Sequence, residues 1–129
     1  MEIQEIVSED LAAPNGNFAQ AMKVTGAQSF VFVSGMTARN KEGGVTGVGD
    51  VVAQTHQVCQ NIKSVLEAAG GEMKNIMRVD VYVRNMEDFK ASHEVRKMYF
   101  PQNPASTMVE VSKFVNKDYL IEINAIAVI

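Results

Sequence analysis

Three groups of polar side chains in this chain could do chemistry. His93 falls within a predicted helix and its imidazole titrates near neutral pH, as a general base must, although a lone histidine on a helix is commonly a packing or surface residue. Ser106 and Thr107 follow a proline-bounded loop, where their hydroxyls either bind a ligand or simply begin a strand. Glu122 and Asn124 share one face of the last predicted strand, where cross-strand pairing is the alternative to a catalytic role. These groups suit acid–base chemistry or hydrogen bonding to a small polar molecule.

Metal chemistry has no support in the sequence. His56, Cys59 and His93 supply all the imidazole and thiol groups, and their spacing matches no ligand pattern. Cys59 lies on the apolar side of a predicted helix, so we expect it to be an inert core residue. A single cysteine cannot form an intrachain disulfide, which fits a reducing compartment. We therefore expect no metal and no cofactor.

Length and composition indicate a single domain over residues 1–129. Hydrophobic residues make up 47% of the chain and charged residues 21%, which is ordinary for a globular protein. The 12 basic and 15 acidic residues give a net charge of −3, and the longest basic cluster is the pair Arg96–Lys97. That balance argues against a nucleic-acid partner. The absence of a signal-peptide pattern and of membrane-length apolar runs predicts a cytoplasmic protein with no membrane partner.

The clearest predicted element is a helix that begins after Asp50, a favourable N-cap, and ends at Gly70 and Gly71. Apolar residues recur there every three or four positions and form one face: Val51, Thr55, Val58, Cys59, Ile62, Val65, Leu66 and Ala69. The side assigned to solvent carries mostly polar residues: Gln54, Gln57, Gln60, Asn61, Lys63 and Glu67. The pattern predicts a helix packed on a core through one face.

Several strands and a second helix are predicted around this helix. Alternating or apolar runs predict strands at 20–24, 30–34, 78–84, 107–115 and 120–129. Turn residues between the first two runs predict a β-hairpin. The second helix is predicted from about 89 to 99, and its apolar side is Phe89, Val95, Met98 and Tyr99. This order predicts an α+β fold with both helices on one face of a sheet. The other sheet face has too few polar residues to stay in water, so we expect a homo-oligomer.

Six segments in the same order resemble the RidA/YjgF family, whose members are best known for hydrolysing reactive enamines and imines. They are residues 16–20, 30–36, 54–70, 81–89, 104–112 and 121–128. The resemblance implies a chorismate-mutase-like subunit with a mixed β-sheet, three of which pack their sheets into a trimeric barrel. It also implies a pocket for a small metabolite between subunits. In that pocket an arginine binds the substrate carboxylate, a tyrosine and a glutamate position water, and backbone amides complete the site.

The chain departs from the family pattern at all three of these side chains. Ser106 stands at the arginine, Phe18 at the tyrosine and Asn124 at the glutamate. The site thereby loses a bidentate cation, a phenol and an acid–base group. Arg96 or Arg84 could supply a replacement cation.

The resemblance carries the remaining site residues over position by position, except Arg96, which is included as a possible replacement cation. The expected catalytic residues are Asn124, Ser106 and His93, and the expected substrate-binding residues are Phe18, Ser34, Gly35, Met36, Thr107, Met108 and Arg96. The leading functional hypothesis is a hydrolytic deaminase of enamines or imines with altered substrate specificity. A trimer that binds a small metabolite without catalysis is the alternative. RNA cleavage is a third hypothesis, against which the acidic composition weighs.

Overall fold

The structure is a computed structural model that describes residues 1–129. Its strands are β1 (Glu2–Ile6), β2 (Ala21–Thr25), β3 (Phe30–Met36), β4 (Ile76–Val83), β5 (Ala105–Glu110) and β6 (Ile121–Val128). Its helices are α1 (Val51–Ala68) and α2 (Phe89–Arg96), and short 3₁₀ turns at Met73–Asn75 and Met86–Asp88 precede β4 and α2. The α+β class is as predicted, and so is the order of elements apart from β1, to which no residues were assigned.

Both ends of α1 are capped by the residues that the sequence indicates. The Asp50 carboxylate accepts a hydrogen bond from the Ala53 backbone N–H at 3.1 Å. At the other end Gly70 adopts a φ of +84°, a conformation that favours glycine, and the Gly71 N–H donates to the Leu66 carbonyl at 2.8 Å. These caps satisfy backbone groups that a helix leaves unpaired at its ends.

The main sheet has four strands in the order β3-β6-β4-β5, and only the β4–β5 pair is parallel. Helix α1 packs on β3 and β6, and α2 packs on α1, so both helices cover the same face. The core between them holds the apolar side chains of α1 and of the two central strands: Val58, Ile62, Leu66, Val79, Val81, Val83, Ile121, Ile123, Ala125 and Ala127. The predicted apolar faces of the long helix and of the last strand therefore meet.

The predicted β-hairpin at 20–34 is wrong. Strand β2 pairs along its whole length with β1, whereas β3 pairs antiparallel with β6, close to the other end of the chain. The turn between β2 and β3, with Gly26 at a φ of +76°, therefore connects two different sheets. Turn residues show where the chain reverses, but the partner of a strand is decided by the apolar face that it must cover.

Two element boundaries also differ from the prediction. Helix α2 ends at Arg96, and of its predicted apolar side only Val95 is buried, while Phe89 is 45% and Met98 71% exposed. Strand β5 ends at Glu110 rather than at residue 115, because its partner β4 ends at the aligned Val83. The length of each element is limited by its packing partner.

Gln54 lies in the core and not on the solvent side to which the sequence pattern assigned it. Its amide nitrogen donates to the carbonyls of Gly47 at 3.1 Å and Asp118 at 2.7 Å, and its oxygen accepts from the Leu120 N–H at 2.8 Å. The side chain has no exposed surface and ties the start of α1 to the segment before β6. A buried amide is tolerated here because its partners are all present.

The sheet face opposite the helices carries exposed aromatic side chains. Phe30 and Phe32 on β3 are 61% and 74% exposed. Their strand partners on β6 are Val128, which is buried, and Ile126, which is half-buried. This is the face that the sequence predicted to need a cover. None of the helices is long and apolar enough to span a membrane.

Candidate functional site

A cleft opens on the helix side of the sheet, at the carboxyl end of α2. Its apolar floor is formed by Val79, Val81 and Ile123. Its polar wall brings together residues from four parts of the chain: Asn17, His93, Arg96, Gln102, Asn103 and Ser106. The cleft has a volume of about 70 Å³, enough for a compact small molecule. A pocket in which several polar groups converge over an apolar floor suits a small polar metabolite.

Arg96 is the dominant charge in the cleft. Its Nη2 donates to Nδ1 of His93 at 3.2 Å and lies 3.7 Å from the sulfur of Met108, while its Nε is buried without a partner. The chain has four ion pairs, and Arg96 takes part in none of them. Burial lowers the pKa of the guanidinium, which the proximity of Cys59 partly opposes. A half-buried cation without a counter-charge is typical of an anion-binding site.

His93 is held between Asn17 and Arg96. A guanidinium only donates, so Nδ1 must be the acceptor, and Nε2–H then donates to Oδ1 of Asn17 at 3.1 Å. The ring also stacks on Phe89, with centroids 5.4 Å apart. Burial, and then the charges of Arg96 and Lys97, lower the pKa of the imidazole, and Glu94 opposes this weakly. With both nitrogens engaged, the neutral imidazole orients Arg96 and has no free site for a substrate proton.

Gln102 forms the opposite side of the polar wall, in the loop between α2 and β5. Its amide nitrogen points at three carbonyl oxygens, those of Met73 at 3.3 Å, Lys74 at 2.7 Å and Ile76 at 2.9 Å. Its Oε1 is buried and has no partner. No local pattern singles out this residue, because the segment before Pro104 indicates only a loop that ends a helix.

Ser106 reaches the cleft because β5 runs parallel to β4. It is aligned with Val79, and the aligned side chains of neighbouring strands share a sheet face, here the face under the helices. The chain before β2 lies along the edge of β5, where the Ala19 N–H donates to the Pro104 carbonyl at 3.1 Å. This contact brings Asn17 to the cleft, a second residue that sequence reasoning missed although it neighbours Phe18.

Thr107 and Asn124 lie on the other side of the sheet. Both are aligned with Asp80 of β4, one from β5 and one from β6, so the three side chains form a row on the uncovered face. The Thr107 hydroxyl accepts a hydrogen bond from Arg78 at 2.6 Å, and Arg78 also pairs with Asp80 at 2.9 Å. Within a single chain, Asn124 and Ser106 therefore cannot contact the same small ligand.

Gly35 lies in an irregularity of β3, where the pairing with β6 shifts between Val33 and Met36. A Cβ at this position would come within 2.6 Å of Oε2 of Glu122, so a larger residue here would require the Glu122 side chain to move. Ser34 is exposed in the same irregularity. Gly35 and Glu122 thus belong to the uncovered face, together with Asn124.

The remaining predicted site residues do not line the cleft. Phe18 is half-buried next to Asn17, and Met36 and Met108 pack against the hydrophobic core. Of the two arginines that could replace the family cation, Arg84 is exposed and donates to the Lys117 carbonyl at 2.7 Å. The other candidate, Arg96, lines the cleft.

Comparison with known proteins gives the same affiliation as the sequence motifs. The family described as endoribonuclease L-PSP matches residues 9–129. A RutC family protein from Pyrococcus horikoshii is 42% identical over 123 residues, covering 95% of this chain and 94% of that protein. The protein named 3-aminoacrylate deaminase RutC from Acinetobacter baylyi is 34% identical, over 92% of this chain and 97% of its own length.

A solved structure extends the likeness to the whole fold. A Rid-family protein of unknown function from Yersinia pestis superposes with a TM-score of 0.88 at 28% identity, over 100% of both chains. The sequence motifs, the matched residues and the fold agree. This chain belongs to the endoribonuclease L-PSP family, the family of the RidA/YjgF and RutC proteins.

Proposed function

We propose that this protein is a hydrolytic deaminase that acts on small enamines or imines carrying a carboxylate. The observation that carries the proposal is the Arg96 guanidinium, half-buried in a small cleft without a counter-charge. A relative named 3-aminoacrylate deaminase supports the choice of reaction. Its named substrate combines an enamine with a carboxylate, the group that a guanidinium binds best.

Arg96 takes over the role of the arginine that Ser106 replaces. Both residues line the same cleft, Arg96 from α2 and Ser106 from β5. A serine in β5 leaves room for the longer side chain that enters from the helix, and its hydroxyl remains as a hydrogen-bond partner. The relocated cation changes the direction from which a carboxylate is bound, and this is the basis of the altered specificity.

The reaction needs water, a positioned substrate and release of ammonia. An enamine first shifts a proton from nitrogen to carbon and becomes an imine. Water adds to the imine carbon, the C–N bond then breaks with its electrons on nitrogen, and the products are a carbonyl compound and ammonia. Neither Ser106 nor the hydrogen-bonded His93 is a strong acid or base. The cleft therefore acts mainly by positioning the substrate and by stabilising charge in the transition state.

A second subunit completes the site. Asn124, which stands at the family glutamate, lies on the uncovered sheet face with Phe30 and Phe32. We propose a homotrimer in which the uncovered faces meet in a barrel and Asn124 of one subunit approaches the cleft of the next. Sedimentation of the protein at micromolar concentrations checks this part directly, since a monomer contradicts it.

The test of the function is an imine-hydrolysis assay. An amino-acid oxidase generates imines in place from a panel of amino acids, and release of the carbonyl product is followed with and without the protein. We expect acceleration with carboxylate-bearing imines and its loss in Arg96→Met. Lys90→Met, which removes an exposed cation of the same helix, is the matched control and should keep full activity. No acceleration with any imine would mean that the protein is not a deaminase.

The second candidate is a non-catalytic trimer that binds a small carboxylate. The replacement of the family glutamate by Asn124 favours it, because a neutral amide cannot act as a general acid or base. Stabilisation of the wild type by short carboxylates, without turnover of any imine, distinguishes this candidate from the enzyme.

A further inference from the structure

Two buried polar side-chain atoms of this protein have no hydrogen-bond partner, Nε of Arg96 and Oε1 of Gln102. Both residues line the same cleft. Buried polar atoms are nearly always paired in folded proteins, because an unpaired one has lost its water and gained nothing. One of these atoms is a donor and the other an acceptor. Together they indicate a binding site for a ligand that pairs with both.

The acceptor character of Gln102 is set by its surroundings. Its other amide atom faces the carbonyl oxygens of Met73, Lys74 and Ile76, within 3.3 Å of each. Only the NH₂ end of the amide is attracted to three carbonyl oxygens, since an oxygen there would be repelled by all of them. The oxygen is therefore directed away from this cluster, and no donor of the chain pairs with it.

A ligand that satisfies both atoms must carry an anionic group and an N–H or O–H donor on one small frame. The guanidinium of Arg96 selects the anion, and the carbonyl oxygen of Gln102 selects the donor. Water alone can satisfy the hydrogen bonds, but it leaves the charge of Arg96 uncompensated. The pair of atoms is therefore complementary to a small molecule with a carboxylate at one end and a nitrogen at the other.

We infer that Gln102 is a substrate-positioning residue whose Oε1 accepts a hydrogen bond from the reacting nitrogen of the enamine or imine, while Arg96 binds the carboxylate. The inference rests on the proposed function and adds the group that recognises the nitrogen. An acceptor at this place binds the N-protonated imine more strongly than the neutral one, because the hydrogen bond is then charge-assisted. The protonated form is the better electrophile for water.

Binding of stable ligands tests the inference without turnover. The probes are 3-aminopropanoate, which has a carboxylate and an N–H donor, propanoate, which has only the carboxylate, and propylamine, which has only the nitrogen. Titration calorimetry of the full-length protein near neutral pH should give an affinity for 3-aminopropanoate about tenfold above that for propanoate, the usual effect of one charge-assisted hydrogen bond. Propylamine should bind more weakly than either.

Gln102→Met should reduce this affinity ratio to about one and leave propanoate binding unchanged, whereas Arg96→Met should weaken both carboxylates. A merely structural role of Gln102 would lower both affinities together and keep their ratio. In case Gln102→Met does not fold, the N-trimethyl derivative of 3-aminopropanoate provides a second measurement on the wild type. It keeps both charges but has no N–H, so it should bind no better than propanoate.

A wild type that does not prefer 3-aminopropanoate, or a ratio that survives Gln102→Met, overturns the inference. These failures are separate from a failure of the proposed function. If imines are hydrolysed but the ratio does not depend on Gln102, the deaminase stands and Gln102 has only its structural role. If the ratio depends on Gln102 but no imine is hydrolysed, the recognition stands and the deaminase does not.

Discussion

Ser106 and Asn124 lie on opposite faces of the same four-stranded sheet. Ser106 on β5 is aligned with the buried Val79 and opens into the cleft, while Asn124 on β6 is aligned with Asp80 on the uncovered face. A sheet separates its two faces by the full thickness of the backbone, so one subunit cannot place both side chains on one small ligand. If both contribute to catalysis, they come from different subunits.

Subunit complementation should reveal such a shared site. Arg96→Met removes the cation of the cleft and Asn124→Leu removes the amide of the uncovered face, and each variant alone should be inactive. Trimers assembled at random from equal amounts of the two chains should recover about a quarter of the wild-type imine-hydrolysis rate, because one site in four combines two intact halves. Co-expression of differently tagged chains provides the mixed trimers.

A mixture that stays inactive, although the tags prove that mixed trimers form, would contradict a site shared between subunits. The control is co-expression of wild-type chain with either variant, which should give half of the sites intact.

An arginine should be able to bind the substrate carboxylate from position 106 as well as from position 96. We expect Arg96→Met to lower kcat/KM for carboxylate-bearing imines about 100-fold, the loss of a bidentate charged contact. Ser106→Arg in the Arg96→Met background should restore a substantial part of this loss, because both positions line the same cleft. Ser106→Arg in the wild-type background should instead lower activity, since two guanidiniums then compete for the space. Equal kinetics of Arg96→Met and wild type would exclude Arg96 as the anion-binding group.

His93 should make the stability of the protein depend on pH. Burial and the charges of Arg96 and Lys97 lower the pKa of His93 below its ordinary value of 6.5. The unfolded chain therefore takes up this proton at a higher pH than the folded one. The contribution of His93 to the free energy of unfolding should be constant above about pH 6.5. Below that pH, the free energy of unfolding should decrease until the pH reaches the pKa of His93 in the folded protein.

Urea unfolding at a series of pH values measures this effect. His93→Gln should reduce the loss of unfolding free energy that occurs below about pH 6.5. His56→Gln, which changes the other histidine of the chain, is the matched control. The idea fails if the wild type and His93→Gln lose stability in parallel as the pH is lowered.

Cys59 should be inert to thiol reagents in the folded protein. It has no exposed surface, and burial raises the pKa of its thiol to about 12, partly opposed by Arg96. Since the thiolate is the reactive form, reaction with an aromatic disulfide at pH 8 should be at least about a thousandfold slower in the native protein than in urea. Cys59→Ser supplies the blank. Rapid labelling of the native protein would show that the helix side of the core opens readily.

Gln54 should contribute strongly to stability. Replacing it by leucine leaves the carbonyl of Asp118 and the N–H of Leu120 without a partner, while the Gly47 carbonyl keeps only the Asp50 N–H. We expect Gln54→Leu to lower the free energy of unfolding by about 3 kcal/mol. Gln60→Leu, an exposed position of the same helix, should change it by less than about 0.5 kcal/mol. Similar urea midpoints for the two variants would disprove the role assigned to Gln54.

The elements with strong local patterns could be predicted from the sequence. The caps of α1 at Asp50 and Gly70 and the alternation of β4 depend on neighbouring residues, and both are found as expected. The partners of β2 and β3 were predicted wrongly, because strand pairing joins residues as far apart as Phe30 and Val128. The position of Gln54 was missed for the same reason, since its partners include residues more than 60 positions away.

The family and most of the order of elements could be recognised from the sequence, because motifs and periodicity are properties of the chain alone. Three relationships became visible only in the folded chain: Arg96 lines the cleft with Ser106, Gln102 lines it with an unpaired Oε1, and Asn124 lies on the opposite sheet face. These relationships depend on how β5 lies against β4 and on where α2 ends. Side-chain direction relative to distant residues follows from packing, which no local pattern encodes.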